Sequence, residues 1–103
     1  MEHSTINWDT PLLNEKGQPH VENGQEITMG FICSFALARG EQGRVLPLKE
    51  ALTWYRLWQG ISQGVLDELS DDDKNILLRA VSLYFSPLML GQLNDFLHPK
   101  EDA

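Results

Sequence analysis

Reactive and cross-linking chemistry is scarce in this chain. Cys33 is its only cysteine, so no disulfide can close within it. That usage fits a reducing cytoplasm. Basic residues are few: eight Lys and Arg stand against fifteen Asp and Glu, a net charge of −7. Phosphate contacts need clustered cations, and these are scattered, so the sequence argues against direct binding to nucleic acid. No apolar run is long enough to span a bilayer; the stretches around Phe31 to Ala38 and Leu83 to Leu90 are too short or too interrupted. The polar start, with Glu2 and His3, lacks the apolar core of a signal peptide. The histidines are His3, His20 and His98, none spaced with another histidine or with Cys33 as zinc ligands are. Gly40, Gly43, Gly60 and Gly64 lack the spacing of a phosphate loop, and no Gly-x-Ser-x-Gly elbow occurs. These absences point away from an enzyme, a metal and a cofactor.

What is present is helix punctuation. The length of 103 residues predicts a single domain with a modest core, and 42% apolar residues exclude disorder of the whole chain. Residues 1–5 and 99–103 read as disordered tails. Residues 6–27 form a turn-rich arm, with Lys16-Gly17 and Asn23-Gly24 as turns and the latter as a hairpin signal. Short extended pieces are expected near Leu12–Leu13 and Pro19–Val21, with Trp8 anchoring the arm to the core. Thr28 caps a helix from Met29 to Arg39, and Gly40 stops it. That helix is apolar nearly all round, so it is expected at the centre. A third element opens at Pro47 and stops at Gly64, weakened by Gly60. Residues 65–69 form a linker with some extended character that could pair with the arm. Ser70 and Ser86-Pro87 then open two helices in series, the second ended by Pro99. The expected fold is mainly α: a four-helix compact domain with a short N-terminal β-hairpin or extended arm. Gly91 is expected to let the last helix approach a neighbour closely.

Two groups of residues stand out as candidate sites. In the central helix, Trp54 and Trp58 lie four apart on one face, Tyr55 about a quarter-turn away, and Arg56 among them. Leu48, Leu52, Tyr55 and Gln59 make one line; Ala51, Trp54, Trp58 and Ile61 make another. The helix is apolar over too wide an arc for a simple edge helix, so it is either wholly buried or meets another molecule. Aromatic residues and arginine dominate binding hot spots. The second group is the acids Asp67, Glu68, Asp71, Asp72 and Asp73. Asp71, Asp73 and Asn75 start like a calcium loop, but Ile76 stands where glycine is required and no glutamate closes it. Charge at a helix start is the simpler reading, and a docking patch for a basic partner is the functional one. Cys33 lies between Ile32 and Phe35, where burial silences a thiol.

Several short pieces also occur in a telling order: Glu15-Lys16-Gly17-Gln18-Pro19, Glu22-Asn23-Gly24, Thr28-Met29-Gly30 and Ser86-Pro87-Leu88-Met89-Leu90-Gly91-Gln92. In that order, across residues 9–97, the chain resembles a family of small phage and prophage proteins. Those proteins share the turn-rich arm, a Thr-Leu-Gly helix start and a closing Pro-Leu-x-x-Gly-Gln motif. The chain departs from them in its central helix, where Pro47-Leu48-Lys49-Glu50 and the tryptophans replace a charged Glu-Glu-Lys opening. The resemblance implies a phage setting in the cytoplasm of a host bacterium and no enzyme activity, and it hands over no catalytic residue.

Two functions fit these observations. One is a non-enzymatic phage or prophage protein-binding module, an assembly chaperone or adaptor acting through the aromatic central helix on another protein or on a second copy of itself. The other is an acidic inhibitor of a host defence nucleic-acid enzyme, of anti-restriction or anti-CRISPR type, whose acids imitate phosphates. A mimic needs its acids in a continuous stripe, and those outside residues 67–73 are dispersed. Neither reading involves a membrane or a cofactor.

Overall fold

A computed structural model describes residues 6–41 and 44–99 of the chain. The predicted tails at residues 1–5 and 99–103, save Pro99, and the breaker at Gly43 lie outside them. Six elements follow in order: β1 (Val21–Glu22), β2 (Gln25–Glu26), α1 (Met29–Arg39), α2 (Leu48–Ser62), α3 (Asp71–Ser82) and α4 (Pro87–Leu97). The fold is mainly α with a small antiparallel hairpin near its start. Val21 pairs with Glu26 and Glu22 with Gln25. Asn23 and Gly24 turn the hairpin with φ of 53° and 80°, the conformation that Asn-Gly adopts most cheaply.

The arm does more than precede the helices. It supplies hydrogen-bond acceptors to the start of α1, whose first amides have no partner within the helix. The Met29 amide donates to the Thr10 carbonyl at 2.9 Å and the Gly30 amide to the Trp8 carbonyl at 2.8 Å. The Phe31 amide donates to Thr28 Oγ1, the expected cap. The N-terminus of α1 is thereby saturated. Further along, the Leu12 amide donates to Ile27 and the His20 amide to Leu12. Pro11 and Pro19, which cannot donate, form only isolated bridges, with Thr28 and Leu13.

Helix α1 is the central element; α2 and α3 pack against it, and α4 packs on α3. Ile32, Cys33, Ala36 and Leu37 of α1 meet Trp54, Leu57 and Ile61 of α2, Leu77, Ala80 and Val81 of α3, and Leu93 and Leu97 of α4 in one core. Trp8 of the arm joins that core as anticipated, and Leu12 joins it as well. The Trp8 ring meets Phe96 edge-on, with centroids 5.5 Å apart. Not all of α1 is covered, however: Phe31 is exposed, and Arg39 lies over the Phe35 ring at 3.8 Å.

The helix boundaries follow local chemistry. Ser70 and Asp73 form a reciprocal capping box on α3, and Ser86 caps α4 with Pro87 at its first turn. Gly40 ends α1 at φ 66°, and the Tyr84 hydroxyl, reaching from beyond α3, donates to its carbonyl. Pro47 sits one position before α2, which starts without a side-chain cap.

Two packing expectations are corrected. Residues 65–69 form no strand with the arm; the tie is a side-chain bond from Trp8 Nε1 to the Leu66 carbonyl at 2.7 Å. Gly91 is exposed, and a Cβ there would meet nothing within 4 Å. Close approaches occur instead at Gly30, where a Cβ would stand 3.0 Å from the Trp8 carbonyl oxygen and 3.1 Å from its Cβ, and at Gly60, where it would stand 3.0 Å from Leu66 Cβ.

Candidate functional site

The two lines of residues along α2 face opposite ways. Trp54, Leu57 and Ile61 point into the core, Trp54 being only 2% exposed. Leu48, Leu52 and Tyr55 face out, at 76%, 54% and 54% exposure. Their spacing of four and three residues puts them on one stripe. Tyr55 stacks on half-buried Trp58 with centroids 5.9 Å apart and planes 27° apart, so the stripe continues into an aromatic ledge. Helix propensity does not require this arrangement. A helix already fixed by one buried face carries a second apolar face in water.

Of the predicted docking residues, Trp54 lies in the core of the free chain, beneath the surface. Tyr55 and Trp58 form the surface. Arg56 points elsewhere, into a polar groove of about 630 Å³ between α2 and α3. That groove also holds Asp72 and Asp73 from the acidic group, with Lys49, Glu50 and Arg79. Its formal charges balance, Lys49, Arg56 and Arg79 against Glu50, Asp72 and Asp73, and Arg79 pairs with Glu50 at 3.3 Å and, outside the groove, with Glu41. Ion pairs near the surface contribute little to stability each, so the groove gains no strong charge of either sign from them.

The acids do not converge. Asp73 is committed to the capping box: its side chain accepts from the Ser70 amide at 3.2 Å while its own amide donates to Ser70 Oγ at 3.0 Å. Asp71 and Asp72 are exposed on the first turn of α3, where the helix end favours anions. Asp67 and Glu68 are exposed in the preceding linker. Among the described residues no three His, Cys, Asp or Glu side chains are placed to share a metal ion. Cys33 is fully buried, and burial pushes its thiol up to about 12 from an ordinary 9.0, which keeps it protonated and unreactive. No helix among the described residues is long and apolar enough to cross a membrane.

Beside the ledge lies an apolar groove of about 410 Å³ between the end of α1 and the middle of α2. Its walls include Leu37, Leu46, Ala51, Tyr55 and Trp58, and Arg39 stands at its edge. Arg39 and Leu46 were not among the residues singled out from sequence. The available signal was the four-residue spacing of Phe35 and Arg39, which lets the guanidinium lie on the ring. Leu48 and Leu52 were visible as a line with Tyr55, but periodicity alone does not say which of two apolar lines faces inward.

Compared with known proteins, the chain matches no family model, no curated protein and no solved structure.

Proposed function

We propose that the chain is a non-enzymatic protein-binding module, an assembly chaperone or adaptor, that docks another polypeptide on the outer face of α2. One observation carries the reading: Leu48, Leu52 and Tyr55 form an exposed stripe on a helix whose opposite face is already buried. Covering apolar surface is worth roughly 25 cal/mol per Å² before association costs. A stripe that ends on a Tyr–Trp stack has the composition of a binding hot spot. The partner is a larger protein or a second copy of the chain. The phage or prophage setting, and with it the bacterial cytoplasm, rests on the sequence resemblance. Phosphate mimicry by the acids has weaker support, because Asp73 is held in its capping box and Glu41 and Glu50 are engaged by arginines.

Light scattering and co-purification with the wild-type chain and an L48S/L52S/Y55S variant test this. The wild type should form a defined assembly, with itself or with a co-purifying protein. The variant should lose that assembly while its melting temperature holds. An assembly unaffected by the three changes, or no assembly at any concentration, would overturn the proposal.

A further inference from the structure

The groove between α1 and α2 carries information about what enters it. Its walls are largely apolar, and besides the Tyr55 hydroxyl two lining residues, Trp54 and Arg39, carry side-chain donors without an acceptor among the described residues. The Trp54 indole N–H is completely buried and has no acceptor among the described residues. Buried indole N–H groups usually find one, because an unmade bond there is costly. Among the described residues Arg39 is the only charged one lining the groove, and it forms no ion pair with any of them. Its guanidinium rests on the Phe35 ring, a contact that leaves its in-plane N–H groups free to donate. On a chain of net charge −7, a groove whose one charge is positive is a local exception.

We propose that this groove takes an apolar side chain flanked by a carboxylate, presented by a segment of the partner polypeptide. The apolar side chain lies against Leu46 and Trp58. The carboxylate pairs with Arg39, and an oxygen of the same segment accepts from Trp54 Nε1. The indole is covered in the free chain, so seating the segment requires a side-chain adjustment of the kind common at interfaces. This inference rests on the docking reading above and deepens it by specifying the chemistry of the occupant.

The test uses the full ¹⁵N-labelled chain and two small probes, phenylbutyrate and phenylbutylamine, which share an aromatic tail and differ in charge. Three indole N–H signals are expected, from Trp8, Trp54 and Trp58. Phenylbutyrate should shift the Trp54 signal saturably downfield and leave that of Trp8, already bonded to Leu66, in place. It should bind about threefold tighter than the amine, the scale of one exposed ion pair. The exposed substitution Arg39→Gln should erase that preference while lowering the melting temperature by only the few degrees that the lost contact with Phe35 implies. A Trp54 signal that phenylbutyrate leaves unmoved, or equal binding of the two probes, would overturn the inference. If L48S/L52S/Y55S abolishes assembly while Trp54 ignores phenylbutyrate, docking on α2 stands and the acidic occupant falls. If phenylbutyrate binds selectively but no assembly forms, the docking reading fails instead.

Discussion

The side-chain amide of Gln92 pairs with the backbone of Leu13 as a neighbouring strand would. Leu13 donates its amide to Gln92 Oε1 at 2.8 Å, and Gln92 Nε2 donates to the Leu13 carbonyl at 2.8 Å. The two residues are 79 positions apart, and the pair fixes the arm to α4. It also assigns a structural task to the last residue of the Pro-Leu-x-x-Gly-Gln motif.

Changing Gln92 to Ala leaves the Leu13 amide and carbonyl to water. The loss should be about 1–3 kcal/mol in urea denaturation. Hydrogen exchange should report it locally: the Leu13 amide should lose protection first, while amides in the middle of α1 keep theirs. Equal loss of protection throughout would mean that the arm is not separately tethered by this pair.

Substitution should separate two of the helical glycines, Gly30 and Gly91, by sign. Gly30→Ala drives a methyl into the Trp8 backbone at 3.0 Å and should destabilise by about 1–3 kcal/mol. Gly91→Ala meets open space in an exposed helix and should stabilise by about 0.5–1 kcal/mol. Thermal melts of the two variants check both signs.

Cys33 should make stability fall at high pH. Its folded thiol is pushed up to about 12 by burial, against an ordinary 9.0. The unfolded chain can therefore lose this proton from pH 9.0 upward while the folded chain retains it. The folded state binds more protons in that window, so its contribution is intact below 9.0 and declines as pH rises toward 12, by about 1.4 kcal/mol per pH unit. Urea denaturation of wild type and Cys33→Ala, compared across that window, should show the wild type losing stability faster. Parallel curves would contradict the assignment.

Helix boundaries were legible in the sequence because capping is local. Thr28, Gly40, Ser70 and Ser86-Pro87 each act within four residues of themselves, and each ends or begins a helix where its chemistry predicts. The Asn23-Gly24 turn was legible for the same reason. What the sequence did not disclose depends on distant partners. The Leu66 carbonyl accepts from Trp8 across 58 positions, and Gly30 is crowded by a residue outside its helix. Along α2, two apolar lines have equal claims by periodicity. The core took Trp54 and left Tyr55 outside, where α2 packs against α1.

The outer face of α2 is tested most directly by placing a photo-crosslinking residue at position 52 and, as a control, at exposed Asn94 on α4. The chain is then irradiated in cells that produce it. Discrete adducts from position 52, to a second copy or to one partner protein, and none from position 94, are the predicted result. Identical adduct patterns from both positions, or none from position 52, would contradict a docking role for this helix.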